Sequence, residues 1–185
     1  MNLILPAVIL LLSGACSIRY YQPATGILNE DRFAIIRSDS LLIAIRPSNY
    51  QGSNGELSSR YFPVFIRIRN NSIRKQTIGD SNFSILANEK QYDPIPLDYI
   101  LHNIGQNQLL NANSDPFDLN DAVTMQNTLA KEQDLYYDVV ANAFGYGDIL
   151  VGGIKEGYLF YNRSIADADS ISIDVFGKSI GFVKK

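Results

Sequence analysis

The sequence predicts a mainly β protein, a sandwich of about seven short strands interrupted by a helical insertion over roughly residues 97–144. Three features point there. Short apolar runs alternate with polar residues at a period of two, bounded by Gly, Pro, Asn and Asp. The period changes to a helical one only in the middle of the chain, and the alternation then returns. At 46% apolar and 19% charged residues over 185 positions, the composition is that of a globular chain.

Residues 33–37 form the first β-prone run, Ser38-Asp39-Ser40 turns the chain, and residues 41–46 follow up to Pro47. Leu41, Ile43 and Ile45 fall on one face, so the pair reads as a hairpin. Gln51-Gly52-Ser53-Asn54-Gly55 is a loop by composition. The clearest strand is 61–69. Val64, Ile66 and Ile68 face one way and Arg67 and Arg69 the other, the pattern of a sheet with one wet face. Asn70-Asn71-Ser72 breaks it. Residues 83–87 alternate again, and Asn88-Glu89-Lys90 turns toward Gln91-Tyr92 before Pro94 and Pro96.

Leu97, Ile100, Leu101 and Ile104 then recur at helical spacing. A second helix starts with Asp115 as N-cap, Pro116 in the first position and Asp118 in the first turn. It is expected to run to Phe144, with Gly145 as its stop. Its apolar positions are Leu119, Ala122, Val123, Leu129, Tyr136, Val140 and Ala143; Gln126 and Gln133 interrupt the stripe and predict a kink or partial exposure. Strands return at 158–161, 171–176 and 180–183, punctuated by Gly152, Gly153, Gly157 and Gly177.

The chain opens on an apolar run of about ten residues, too short to span a bilayer core as a helix and of the length of a signal-peptide h-region. Leu12-Ser13-Gly14-Ala15-Cys16 resembles the lipobox of bacterial lipoproteins, in which small residues precede a cysteine that is acylated after cleavage before it. Ser13 stands where Leu is usual, and no Lys or Arg precedes the run. The resemblance implies a signal peptide over residues 1–15, lipid attachment at Cys16, and an extracytoplasmic protein held at a membrane by its acyl chains. Ser17, in place of Asp, implies the outer membrane where the organism has one. Residues 16–30 read as a tether and 31–185 as one domain.

The strand at 64–69 running into Asn70-Asn71-Ser72, the strand at 83–87 with its Glu89-Lys90 turn, and Gly157-Tyr158-Leu159-Phe160 followed by 171–175 resemble bacterial extracytoplasmic immunoglobulin-like domains of unknown function. The resemblance covers residues 33–96 and 150–183 and implies an immunoglobulin-like topology. The long helical segment has no place in the simplest version of that pattern.

Candidate chemistry is sparse. A net charge of −3 offers no basic patch of the size nucleic acid requires. One Cys and one His make neither an internal disulfide nor a Cys/His zinc site, and no motif for a cofactor is present. His102 lies beside an apolar helical face without a Gly-x-Ser-x-Gly elbow and reads as structural. Asp115, Asp118 and Asp121 suit a helix start. Asp134 and Asp138, four apart with Lys131 and Glu132 nearby, could project together as a general acid/base pair, or simply form a solvated helix face. Asp167 and Asp169 could offer two oxygens to Ca²⁺ but lack the other positions of an EF-hand loop.

Eleven tyrosines remain the most suggestive feature. Tyr136 and Tyr137 are adjacent on a helix, so they cannot both be central to one core face, and they form the candidate binding surface. The expected function is that of a lipid-anchored, non-enzymatic envelope protein that binds or assembles with another envelope protein. The alternatives are a module for cell-wall or surface glycans using Tyr136 and Tyr137, and a carboxylate-dependent hydrolase using Asp134 and Asp138.

Overall fold

The computed structural model describes residues 20–24, 29–52, 56–111 and 119–185. Cys16, the predicted signal peptide, Asp115, Pro116 and Asp118 lie outside the described residues. In chain order the strands are β1 (Tyr21–Pro23), β2 (Asn29–Glu30), β3 (Phe33–Arg37), β4 (Leu41–Pro47), β5 (Tyr61–Asn70), β6 (Gln76–Ile78), β7 (Phe83–Ala87), β8 (Lys90–Tyr92), β9 (Gly147–Ile149), β10 (Ile154–Asn162), β11 (Ser170–Val175) and β12 (Lys178–Lys184). The helices are α1 (Glu56–Arg60), α2 (Leu97–Asn111) and α3 (Leu119–Asn142).

Two five-stranded antiparallel sheets, ordered β1-β12-β11-β7-β8 and β10-β5-β4-β3-β2, share one core. A two-stranded β6–β9 pair lies beside them. The alternation read from the sequence explains the sheets. Val64, Ile66 and Ile68 of β5 are buried with Ile43 and Ile45 of β4, while Arg67 and Arg69 stay in water. They share their core with Ile85, Ile173 and Phe182 from the facing sheet. Burying each such side chain favours folding by roughly 1.5–3 kcal/mol. The turns Asp31-Arg32, Asn88-Glu89 and Phe176-Gly177 have both central φ angles positive, which matches the right-handed twist of the strands they join.

A third layer covers one side. Tyr158 and Phe160 of β10 point away from the sandwich into a second core with Tyr50, Leu57, Tyr61, Ile100, Ile104, Leu135 and Val139. Leu159 and Tyr161 of the same strand point inward. β10 is therefore buried on both faces, which is why it reads as a continuous aromatic and apolar run instead of an alternating one.

Three expectations are corrected. The apolar stripe of α3 runs through Leu135 and Val139, not through Tyr136 and Val140, which are exposed. Both pairs have i, i+4 spacing, and the register is decided by which pair the β10–β5 surface can cover; purely aliphatic side chains lose most by exposure. The side chains of Leu119, Ala122, Val123 and Leu129 lie outside those described. The helix stops at Asn142, before Phe144 and Gly145, because its main chain passes to β10: Phe144 N–H donates to the Tyr158 carbonyl at 2.9 Å. Gly157 permits that approach, since a Cβ there would lie 2.7 Å from Ala143 C and Phe144 N. Finally, within the expected tether over residues 16–30, Tyr21–Pro23 forms β1 on β12 and Asn29–Glu30 forms β2 on β3. Tyr21 is buried and its hydroxyl donates to the carbonyls of Ile165 (3.0 Å) and Ala168 (2.6 Å), which an unstructured tether could not do.

Candidate functional site

The predicted binding surface lies on the outer face of α3. Tyr136 is 39% and Tyr137 61% exposed, with ring centroids 5.8 Å apart and planes at 89°. Val140 is exposed on the same helix, and Tyr99 is exposed on α2. An edge-to-face pair offers one open ring face at a time, whereas two coplanar rings would make a broad stacking platform.

Asp134 and Asp138 do not converge. Asp134 is exposed, while Asp138 turns inward, with Oδ1 accepting from Asn142 Nδ2 at 3.0 Å. A Cβ on Gly52 would stand 2.2 Å from Asp138 Oδ2, so the carboxyl group is packed beneath the Gly52 backbone. Tyr50 OH donates to the Asp138 main-chain carbonyl at 3.0 Å, and burial, then the neighbouring Asp138, pushes the phenol above its ordinary range. His102 is exposed on α2. Asp167 and Asp169 are exposed around the end of a short 3₁₀ turn, and among the described residues no cluster of three or more His, Cys, Asp or Glu gathers to hold a metal ion.

A surface that the sequence reading missed lies at one end of the sandwich. Asn70, fully buried at the end of β5, holds two loops together. Its amide nitrogen donates to the carbonyls of Arg74 (2.7 Å), Ile149 (3.0 Å) and Leu150 (3.2 Å). Its side-chain oxygen accepts from Ser72 N and Oγ, and its main chain exchanges bonds with Gly152 and Gly153. On these loops and the adjoining start of β10, four aliphatic side chains stand in solvent: Ile73 at 90%, Leu150 at 70%, Val151 at 59% and Ile154 at 55% exposure. Nearby, the β6–β9 pair is tied by Lys75 Nζ to Asp148 at 2.6 Å, and these bonds with Thr77 hold the Asp148 carboxyl below its usual range.

The sequence carried a signal for this end in the apolar run Ile149-Leu150-Val151 between Asp148 and Gly152, and in Asn70 directly after the 61–69 run. An asparagine there reads as a strand breaker; that its side chain is a buried clamp depends on a loop 80 residues away. No family model matches the chain, and no curated protein and no solved structure matches it either.

Proposed function

We propose that the chain is a lipid-anchored extracytoplasmic protein, non-enzymatic, whose folded domain binds another envelope protein and so helps assemble an envelope complex. We read its two-sheet architecture as an immunoglobulin-like sandwich elaborated by the helical layer. The partner-binding surface is the aliphatic end formed by Ile73, Leu150, Val151 and Ile154. The observation that carries this reading is the buried Asn70 clamp, which holds apolar side chains out in water on fixed loops. Pre-ordered apolar side chains lose little entropy on docking, which is the economy a protein interface uses. The anchor at Cys16 is supported by its place in the lipobox-like run and by the lack of another role for the chain's one cysteine.

The test combines mass spectrometry of the mature N-terminus with in-cell crosslinking. The expected result is a chain beginning at an acylated Cys16 that captures an envelope protein, with capture lost in Leu150→Glu. Retention of residues 1–15, an unacylated Cys16, or equal capture by Leu150→Glu would overturn the reading. The exposure of Tyr136 and Tyr137 favours a second reading, glycan binding at α3; loss of cell-wall binding in a Tyr136→Ala/Tyr137→Ala variant that keeps its protein partner would establish it instead.

A further inference from the structure

The opposite end of the sandwich carries a different surface. A cleft of about 490 Å³ opens beside β1, where β4, β5 and β12 end or begin. Four cations from four separate segments line it: Arg32 in the β2–β3 turn, Arg46 on β4, Arg163 after β10 and Lys184 on β12. Among the described residues no Asp or Glu lines it, and none of the four is in an ion pair. Asp167 and Asp169 are near enough to act on Tyr21 but stand outside the lining, so in a chain of net charge −3 the cleft keeps a local excess of positive charge that favours an anion.

The wall is also polar in the right way. The Arg46 guanidinium lies 4.3 Å over the Phe33 ring, which orients its plane, and one of its nitrogens donates to the Asp31 carbonyl at 3.4 Å, a long bond. Arg46 Nε and Ser48 Oγ are buried without a hydrogen-bond partner among the described residues. Asn49 and Gln51 add neutral donors. Lys184 Nζ is steered by the Ala166 carbonyl at 2.6 Å. Guanidinium forks, an ammonium and neutral donors together are the chemistry that recognises a phosphate group. Tyr61, Phe62 and Pro63 supply an apolar side to the same cleft, suited to the carbon skeleton that such a phosphate is attached to.

We propose that this cleft is a binding site for an organic phosphate, the phosphate seated among Arg32, Arg46, Arg163 and Lys184. The phosphate can come from a lipid headgroup or from a soluble phosphate ester. The site itself stands apart from the proposed function; only the lipid source draws on the anchor. Tyr20 lines the cleft and lies four residues after Cys16, a reach of at most about 14 Å in extended chain, so an acylated Cys16 would hold the cleft at the headgroup layer.

The test is isothermal titration calorimetry on the full chain in nonionic detergent, with dihexanoyl phosphatidic acid, glycerol 3-phosphate and dihexanoyl phosphatidylcholine as probes. Saturable one-to-one binding of phosphatidic acid, with phosphatidylcholine silent and glycerol 3-phosphate about tenfold weaker or more, would establish the site and its lipid source. Equal binding of glycerol 3-phosphate would establish the site with a soluble source. Arg163→Glu, at an exposed position, is expected to weaken binding about tenfold or more with an unchanged melting temperature. Arg46→Lys, which keeps the charge and loses the fork, should fall between it and the parent chain. No saturable binding by either phosphate, or binding that Arg163→Glu and Arg46→Lys leave unchanged, overturns the proposal, and neither outcome bears on whether Cys16 is acylated.

Discussion

The two ends of the sandwich are built by the same device and present opposite surfaces. At each end one buried polar side chain pins neighbouring segments through main-chain carbonyls: Asn70 holds the loops at the aliphatic end, and Tyr21 holds the 3₁₀ turn at the cationic end. The ten-residue strand from Tyr61 to Asn70 separates them by about 30 Å. Around Asn70 the pinned loops display aliphatic groups, while around Tyr21 they frame a cleft lined by cations. Burial of one hydrogen-bonding side chain fixes where a loop goes and leaves its outward residues unconstrained. The same frame can therefore carry an apolar surface at one end and an anion-attracting one at the other.

Breaking the clamps measures how unequal the ends are. Asn70→Ala removes the amide's bonds to three carbonyls, of which Arg74 O keeps Ser72 Oγ and Leu150 O keeps Gly153 N–H, frees Ser72 and opens a cavity; it is expected to cost about 3 kcal/mol and roughly 10 °C in melting temperature. A loss under about 1 kcal/mol in a urea melt would mean the loops hold themselves. Tyr21→Phe removes two bonds from one hydroxyl and should cost about 1–2 kcal/mol, leaving the aliphatic end intact.

The cationic end also responds to alkali. Burial, then the charges of Asp169 and Asp167, push the Tyr21 phenol from 10.0 to about 12. Because the folded state holds the proton more tightly, the stability this group contributes is complete below pH 10 and is lost as pH rises from 10 to 12. Tyr21→Phe should flatten that part of the stability profile, and an unchanged slope would assign it to other phenols.

Inside the sandwich, on β10 opposite Phe62, Tyr161 is fully buried and its hydroxyl has no partner among the described residues. Tyr161→Phe is expected to be neutral or stabilising by up to about 1 kcal/mol, the contrary of Tyr21→Phe. The smallest effect belongs to the surface: Leu150→Ser should change stability by no more than about 0.5 kcal/mol while abolishing partner capture. A large destabilisation would mean Leu150 belongs to the fold and not to an interface.

Much of the sandwich was legible because a sheet with one wet face writes its register into a period of two, as in Leu41–Pro47 and in Val64, Ile66 and Ile68. The pairing of Tyr21 with Lys184 was not, since three residues carry too little pattern to reveal a strand and their partner is at the other end of the chain. The register of α3 was misread because Leu135/Val139 and Tyr136/Val140 have the same spacing, and only the surface beneath chooses between them. Exposure of Tyr137 could be inferred, as adjacent helical positions diverge. The cationic cleft left no trace as a charge run, because positions 32, 46, 163 and 184 meet only through the fold.

The contrast between the ends is tested most directly by placing an apolar photo-crosslinking amino acid at position 150 or at position 20, where Tyr20 lines the cleft without holding the phosphate, of the full chain in living cells and weighing the adducts. The account predicts protein adducts from position 150 and adducts of an organic phosphate, lipid or soluble, from position 20. The same products from both positions, or protein adducts from position 20 with none from position 150, would contradict it.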